Sequence, residues 1–549
     1  MDRNTENYFA YTDQIERPRS KWTRHKTHKT SFNAGVLVPF YINADIKPGT
    51  TIKNSTSIVL RLSTPLVPVM DNAYLDTYWF RCSKFWYWEH FRAMMGENEL
   101  GAWAQTVQYA DPKITTTNTT SKGTFLDYAG VPLGIAGLKM DKMVVNAYID
   151  IWNQWFRDQN LQAPIAFDKT DRGLTYDGTI NTGGTLLPVC KFHDYFTSAL
   201  PEPQKGTAIT TPLGTRAPLG GDYQIRYLNN NDSRNSVVKL GMEGGYYNSN
   251  VAANMYYDDN GTDTKVPTTD GLTKMKINVG GITSSNLYAD LTQATAATIN
   301  ALRLAFATQR ILERDAMYGT RYREILRGQW GVIASDESLL TPEYLGGKRI
   351  PINIETVLQN STSTSSSTPL GETGAVSVTQ DFNEDFTKSF SKDDILMGLL
   401  CVRTDNTYQN GLPRQYTREG RLDRYWPELA HIGNQPIYNY EIFATGTSTD
   451  SEIFGYKEAW SEYKFENNMV TGEMRSGNNS LDLWHYAADY SSLPVLSSQW
   501  ISSDAKTNID RTIAVTSANS DQFWADIDIE QTVAAVMPFH CTPGLIDHF

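Results

Sequence analysis

The chain has 549 residues, of which 40% are hydrophobic, 12% aromatic and 20% charged, and its formal net charge is −12. This length allows a large core or several domains, and the aromatic content is typical of packed cores and interfaces, which excludes general disorder. The negative charge excludes a general polyanion-binding protein, and no stretch approaches the ~18 consecutive apolar residues of a membrane-spanning helix.

Neither the N-terminus nor the cysteine content indicates a special compartment. The first 13 residues are polar and lack the apolar segment of a signal peptide, so we expect a protein that is cytosolic when it is made. The four cysteines are far apart in sequence and form no CxxC pair, which favours buried free thiols over a zinc site or a disulfide framework. They are Cys82, Cys190, Cys401 and Cys541.

A basic run precedes the first predicted strand and contains no acidic residue. Its cations are Arg17, Arg19, Lys21, Arg24, Lys26 and Lys29. Such a run is either a solvated tail or an arm that contacts phosphates through charge, without reading bases. We interpret residues 1–30 as a basic N-terminal arm.

Several segments alternate between apolar and polar residues, as strands with one buried face do. They are residues 31–46, 57–62, 73–82 and 523–537, and 454–465 is a further candidate strand. Residues 395–402 are apolar on both faces, which predicts a central strand. Strands that bracket the chain and are joined by Pro/Gly turns predict a mainly β protein, either a sandwich or a barrel.

Helices and loops are predicted between these strands. Residues 139–157 have a broad aromatic face at helical spacing, which favours core or interface packing over a cofactor site, and residues 292–317 form the clearest helix, with a capping box at Asp290 and Gln293. Residues 206–290 are rich in Gly, Asn, Thr, Tyr and Asp, which predicts a long surface insertion. Residues 360–368 are a Ser/Thr-rich loop.

No catalytic or cofactor-binding motif is present. The sequence contains no HExxH, GxSxG, GxGxxG or Walker A pattern, and the segment that begins at Asp258 lacks the Gly and Glu of a calcium loop. Asp526 and Asp528 share one face of a strand and have the chemistry for acid–base work, but 61 acidic residues make chance pairs common. We therefore predict no enzyme, no catalytic residues and no cofactor, and leave metal binding open.

Long motifs in a fixed order do carry a family resemblance. Residues 28–41 read HKTSFNAGVLVPFY, residues 64–76 read TPLVPVMDNAYLD, and residues 194–206 read DYFTSALPEPQKG. Shorter motifs follow as ERDA at 313–316, GTRY at 319–322, PEYLGG at 342–347, FGYKEAW at 454–460 and PGLIDHF at 543–549. Together they resemble the major capsid proteins of gokushovirus-type microviruses over nearly the whole chain, except at 206–290 and near residue 360.

The resemblance implies a single jelly-roll capsid domain over residues 31–549, with long loop insertions that contain several helices. It implies a T=1 icosahedral shell of pentamers around a circular single-stranded DNA genome, and a virion protein that is assembled in the cytoplasm of a host bacterium. The expected partners are small basic DNA-binding proteins, pilot or minor capsid proteins, an internal scaffolding protein and a host surface receptor. Divalent ions at subunit contacts stay open.

Two surfaces follow from this interpretation. We expect the basic arm to face the packaged DNA, because an acidic shell needs local cationic surface. We expect residues 206–290 to form a protrusion, at the three-fold axes in this family, that meets the host cell. Its candidate contact residues are Asn230, Tyr246, Tyr247, Asp258 and Asn260.

A rival class is a carbohydrate-binding or carbohydrate-cleaving β-sandwich, because aromatic-rich sandwiches also stack sugars. That class requires an exposed aromatic platform or two convergent carboxylates at about 5–10 Å. It forms small oligomers, whereas a capsid protein forms large closed particles.

Overall fold

A computed structural model describes residues 18–98, 108–206, 216–218, 288–290, 299–361, 370–477 and 481–540. The chain divides into two compact units, one formed by Met1–Gly206 with Ile311–Phe549 and the other by Thr207–Arg310. The predicted insertion falls almost entirely in the second unit. Within it, strands Arg216–Pro218 and Tyr288–Asp290 pair antiparallel, with Arg216 opposite Asp290.

Nine strands of the first unit form two facing sheets. They are β1 (Ser20–Phe32), β2 (Val38–Ile46), β3 (Thr51–Leu62), β4 (Ala73–Ser83), β5 (Glu343–Gly346), β6 (Arg349–Pro351), β7 (Val378–Ser389), β8 (Asp394–Thr404) and β9 (Phe523–Ala535). The first sheet has the order β1-β9-β3-β7, and the second has the order β5-β4-β8-β2 with β6 also paired to β4. When β5 and β6 are counted as one interrupted strand, this is the strand order of an eight-stranded jelly roll, and the predicted fold class is confirmed.

The first strand begins earlier than the sequence pattern predicted. Residues 20–32 pair with β9 along their whole length, from Ser20 opposite Ala535 to Phe32 opposite Phe523. The single strand predicted over 31–46 is in fact the end of β1 and all of β2, separated by a turn at Gly35, which has φ +79°. The alternation conceals this break, because Phe32 and Phe40 lie in different sheets but pack into the same core.

Two apolar cores surround the second sheet. On β8, Leu396, Leu400 and Val402 pack between the two sheets, whereas Met397 and Leu399 pack on the opposite side. That opposite side is covered by helix α1 (Lys142–Ile151), in which every residue is buried. A strand covered on both faces has no polar side, which explains why β8 is apolar throughout, as predicted.

The helices lie in the connections between strands. Helix α1 continues as a π-helical turn at Trp152–Phe156, which confirms the centre of the helix predicted over 139–157. Helix α2 (Ile299–Tyr318) matches the second predicted helix in part, and α3 (Tyr322–Trp330) follows it. Residues 291–298 lie outside the described residues, and Gln293 of the predicted capping box is among them, whereas Asp290 is the last residue of the strand Tyr288–Asp290. Shorter helices occupy Lys84–Tyr87, Phe91–Met94, Phe125–Tyr128, Asp336–Leu339, Asn439–Ile442, Ser498–Ile501 and Ala505–Asp510.

Small sheets complete the described part of the chain. Lys113–Thr115 pairs with Lys139–Asp141 and Leu174–Thr175, Glu355–Leu358 with Thr373–Val376, Thr407–Tyr408 with Asn468–Met469, and Asn434–Tyr438 with Ile453–Glu458. The last of these strands is shorter than the one predicted over 454–465, because the chain turns at Trp460, which has φ +64°, into a 3-10 turn at Ser461–Tyr463. The other 3-10 turns are Ile180–Thr182, Arg414–Tyr416, Pro427–Leu429, Ser448–Ser451, Gly472–Met474 and Asp482–Trp484.

Two glycines of the second sheet permit close packing. A Cβ on Gly398 of β8 would lie 2.8 Å from the Phe40 ring and 3.1 Å from the Trp79 ring, and a Cβ on Gly346 would lie 2.2 Å from the carbonyl oxygen of Asp385. The glycine pair at 346–347, which lacks the spacing of a phosphate-binding loop, therefore has a packing role at Gly346.

We predict that Gly398→Ala destabilises the unassembled protein by about 1–3 kcal/mol, because the added methyl group overpacks the sandwich core. The matched control is Gly374→Ala, also in a strand, where a Cβ would lie 3.7 Å from its nearest neighbour. We expect this control to change the free energy of unfolding by less than about 0.5 kcal/mol. Urea unfolding followed by fluorescence measures both, and equal midpoints for the two variants would contradict the packing argument.

Candidate nucleic-acid and assembly surfaces

The cations of the basic run point to two different sides of β1. Because side chains alternate along a strand, Arg19, Lys21 and Lys29 lie on the solvent side together with His25, and all four are exposed. Arg24, Lys26 and His28 lie on the side that faces the second sheet. Arg17 is outside the described residues. The run is therefore divided by the strand, and its residues are not equivalent.

Arg24 is held inside the sandwich by two hydrogen bonds. Its Nε donates to Oε1 of Gln531 at 2.7 Å, and its Nη2 donates to the hydroxyl oxygen of Tyr41 at 3.0 Å. The Tyr41 hydroxyl in turn donates to Gln531 at 2.9 Å, and burial raises the pKa of Tyr41. These contacts join β1 and β9 of the first sheet to β2 of the second.

The two neighbouring residues on this side of β1 are also constrained. The Lys26 Nζ lies 5.1 Å from the centroid of the Tyr41 ring, and burial, followed by repulsion from Arg24, lowers the pKa of Lys26. Burial and the nearby Lys26 charge lower the pKa of His28. This side of β1 is therefore a half-buried edge of the sandwich, at which Arg24 and His28 are partly buried and Lys26 is still exposed.

The polar contacts continue across the first sheet. Nε2 of Gln531 donates to Oδ1 of Asn54 at 2.7 Å, and Nδ2 of Asn54 donates to Oδ2 of Asp385 at 2.7 Å. Asp385 lies in β7 at a β-bulge between Glu384 and Phe386, which turns its carboxylate inward. Burial raises the pKa of Asp385. Arg24, Gln531, Asn54 and Asp385 thus form a polar stripe that crosses all four strands beneath an otherwise apolar core.

The opposite side of the first sheet is exposed to solvent, and we call it the open face. Acids of β9 stand there directly opposite bases of β1: Lys29 opposite Asp526, with Nζ 3.7 Å from Oδ2, and His25 opposite Glu530. Between them, Thr27 donates a hydrogen bond to Asp528 at 3.3 Å. The acidic pair noted in the sequence therefore balances the charge of the basic strand.

The open face also carries aromatic side chains that the sequence analysis did not single out. Trp524 of β9 is 46% exposed and lies opposite Arg61 of β3, and Phe382 of β7 is 61% exposed and lies opposite Ser57. Lys53 of β3 forms an ion pair with Glu384 at 3.3 Å on the same face. The sequence does contain a signal for the exposure of Trp524. Side chains alternate along a strand, so a residue between the buried Phe523 and Ala525 points to the solvent side.

The five candidate contact residues of the insertion, at positions 230, 246, 247, 258 and 260, lie outside the described residues. Among the residues that the structure does describe, no group of His, Cys, Asp or Glu side chains is arranged to hold a metal ion. No helix in that part of the chain is long and apolar enough to cross a membrane. The described thiols, Cys82, Cys190 and Cys401, are buried and free, as expected.

Comparison with known proteins agrees with the jelly-roll topology. Residues 12–545 match the family described as Capsid protein (F protein). Similar proteins include the Capsid protein VP1 of Bdellovibrio phage phiMH2K, 35% identical over 100% of this chain and 99% of the relative, and that of Spiroplasma virus 4, 35% identical over 96% and 95%. The Capsid protein VP1 of Chlamydia phage 1 is 31% identical over 98% of both chains.

A capsid protein is a structural component of the virion that works as many copies in a shell, so this chain has a structural and not an enzymatic role. The β-sandwich is accordingly not that of a carbohydrate-active protein. From the order of its strands and from a match that covers nearly its whole length, the chain belongs to the family of capsid proteins of gokushovirus-type microviruses.

Proposed function

We propose that copies of this chain form pentamers within an icosahedral shell that encloses a circular single-stranded DNA genome, with the open face turned toward the DNA. The observation that carries this proposal is the inequality of the two sheets. The second sheet is covered by α1 and its surrounding loops, whereas Lys21, Lys29, Phe382 and Trp524 on the first sheet are exposed. A shell wall built from such sandwiches has one surface that is covered by helices and loops and one surface that is formed by the uncovered sheet.

The chemistry of the open face suits single-stranded DNA. Proteins that bind single strands without sequence preference combine cations that contact the backbone with aromatic rings on which bases stack. The open face supplies Lys21, Lys29 and Arg61 as cations and Trp524 and Phe382 as rings. Its acids keep the net charge near neutral, which favours weak contacts distributed over many copies. Arg19 extends this surface toward the N-terminus, and we propose that Arg19 and Arg17 belong to the remainder of the basic arm.

We propose that the insertion at residues 206–290 lies on the outer surface as a protrusion and attaches the particle to a host receptor through Asn230, Tyr246, Tyr247, Asp258 and Asn260. Its turn-rich, polar composition supports this role. We also propose that the chain assembles in the host cytoplasm with an internal scaffolding protein, small basic DNA-binding proteins and pilot or minor capsid proteins, and its family membership supports this proposal.

We predict that Lys21→Gln/Lys29→Gln weakens binding of a single-stranded oligonucleotide. Loss of two phosphate contacts reduces the slope of log K against log salt by about 1.4, at about 0.7 for each contact. Fluorescence anisotropy over a salt series measures the slope. The control is Lys122→Gln/Lys139→Gln, which removes the same charge from exposed positions outside the first sheet. Equal slopes for the two variants would contradict DNA contact by the open face.

Arg24 has a different expected role from its neighbours in the basic run. We predict that Arg24→Met lowers the free energy of unfolding by about 1.5–3 kcal/mol, because it leaves Gln531 and Tyr41 without a charged donor. The control Lys21→Met, at an exposed position, changes it by less than about 0.5 kcal/mol. Denaturant unfolding of the unassembled protein checks both. The account of the polar stripe fails if Lys21→Met proves the more destabilising of the two.

For the insertion, we predict that replacing residues 229–261 by a short Gly/Ser linker lowers the adsorption rate to host cells by at least about tenfold while particles still form, because the receptor contacts are removed and the jelly roll is intact. The control replaces the Ser/Thr loop at residues 362–368 by a Gly/Ser linker of the same length. Unchanged adsorption of the first variant would exclude the receptor role.

A further inference from the structure

The two edges of the first sheet differ in how they are covered. At one edge, β7 carries its β-bulge, and the carbonyl oxygen of Asp385 lies so close to Gly346 that a Cβ there would be 2.2 Å away. The segment that follows β6 is bonded to the same edge, since the backbone N–H of Asn353 donates to Oγ1 of Thr379 at 2.9 Å. A further strand therefore cannot add to β7 without displacing these contacts.

The other edge is formed by β1, and it is open along most of its length. Within the described residues, β1 pairs with β9 alone and without a bulge, and the backbone of residues 20–30 makes no hydrogen bond to another strand. In an antiparallel pair every second residue turns its N–H and C=O away from the partner strand. The edge of β1 therefore presents a row of backbone donors and acceptors, which Tyr128 covers only near the end, where its hydroxyl donates to the carbonyl oxygen of Ser31 at 2.8 Å.

The free edge of β1 is cationic, which determines what can pair with it. Lysines on an edge strand repel a second copy of the same strand, so two β1 strands are unsuited to pair edge to edge. Lys29 has an acidic partner in Asp526. Lys21 and Lys26 are exposed and have no acidic partner in the part of the chain that the structure describes. The charge of the edge therefore favours an acidic strand.

The chain contains an acidic segment immediately before its basic run. Residues 1–16 contain four acids and one base, which are Asp2, Glu6, Asp13, Glu16 and Arg3. Residues 8–15 read YFAYTDQI, in which aromatic and β-branched residues predominate, and this composition favours an extended strand. Both the charge and the β propensity of this segment therefore match the free edge of β1.

We propose that residues 2–16 of one copy add as a further strand to the free edge of β1 in a neighbouring copy. Strand addition obtains its affinity from backbone hydrogen bonds and its specificity from side chains, in this case from acids placed beside Lys21 and Lys26. A contact between two different parts of identical chains is heterologous, and it repeats around a closed assembly. This inference rests on the proposed shell and identifies a contact that links its copies.

The sequence at the junction favours a neighbouring copy over the segment's own β1. Two-residue hairpin turns require a positive φ, which Pro18 cannot adopt, and the residue before a proline favours an extended conformation. Arg17 and Pro18 therefore favour a chain that continues onward over one that turns back along its own β1. Residues 2–16 span about 50 Å when extended, at about 3.3 Å per residue, which is enough to reach another copy.

Photo-cross-linking between isotope-labelled copies tests the contact. The chain carries p-benzoylphenylalanine in place of Tyr11, and equal amounts of heavy-isotope-labelled and unlabelled chain are mixed before assembly. In particles, we expect mass spectrometry to find the segment joined to residues 20–30 in pairs that combine both isotopes. We expect no such pairs in unassembled protein. The control carries the same group in place of Tyr416, an exposed tyrosine outside the first sheet, and gives no cross-link to residues 20–30.

Neutralising the acids tests the charge complementarity. We expect Glu6→Gln/Asp13→Asn to lower the yield of the mixed-isotope cross-link at least about threefold, because two ion pairs with the edge are lost. The matched control is Glu428→Gln/Asp489→Asn, which removes the same charge from exposed positions outside the first sheet and keeps the cross-link yield.

A deletion separates assembly from folding. We expect removal of residues 2–16 to keep the unfolding midpoint of the unassembled protein and to lower the particle yield at least about tenfold, because the segment contacts another copy. The proposal is overturned by particles without the cross-link, by cross-links only within one isotope or to another protein, by equal cross-link yields from the two neutralised variants, or by full particle yield after the deletion. If the unmodified chain forms no particles at all, the proposed shell function fails instead.

Discussion

The position of the last strand is the constraint on which the rest of the structure depends. β9 lies between β1 and β3, so residues 523–535 pair on one side with residues 20–32 and on the other with residues 51–62. The sandwich therefore closes only when the end of the chain returns to its beginning. Contacts of such high sequence separation form slowly during folding. The connections between the strands can nevertheless become longer without changing these contacts. The helices, the small sheets and the long insertion all lie within that interval.

The polar stripe shows how this closure is made specific. The stripe takes one residue from each of four strands: Arg24, Gln531, Asn54 and Asp385. In this order, each of the first three donates a hydrogen bond to the next. A buried polar group without a partner is costly, so a shift of β9 by one residue would leave several of these groups unpaired. The apolar alternation selects which face is buried, and the stripe favours one register among those that alternation permits.

Sequence patterns predicted the elements in which buried positions are apolar and exposed positions are polar. β8 is apolar on both sides because two cores enclose it, β9 alternates because one side faces solvent, and α1 has an aromatic face because it covers a sheet. β1 was interpreted as an arm, because its core-facing positions include Arg24 and Lys26 instead of apolar residues. Their hydrogen-bonding and aromatic partners, Gln531 and Tyr41, could not be identified from a one-dimensional pattern.

The two sheets of the sandwich differ in ways that suit different roles in the shell. The second sheet carries loops and helices, which provide area for contacts and for variation, whereas the open face of the first sheet has paired charges and a few rings. The chain has a net charge of −12, and the proximity of Lys29 to Asp526 compensates one of the cations on the open face, so under the proposed function each copy attracts DNA only weakly. Under the proposed function, repetition over a closed shell turns such weak contacts into retention of the genome.

The most direct test of this account is an electron cryo-microscopy reconstruction of DNA-filled particles at a resolution that distinguishes strands. The account predicts that β1, β9, β3 and β7 line the interior, with density for DNA beside Lys21 and Trp524, and that α1 lies on the outer side of the second sheet. A reconstruction with the open face on the exterior of the particle, or buried between subunits away from the DNA, would contradict it.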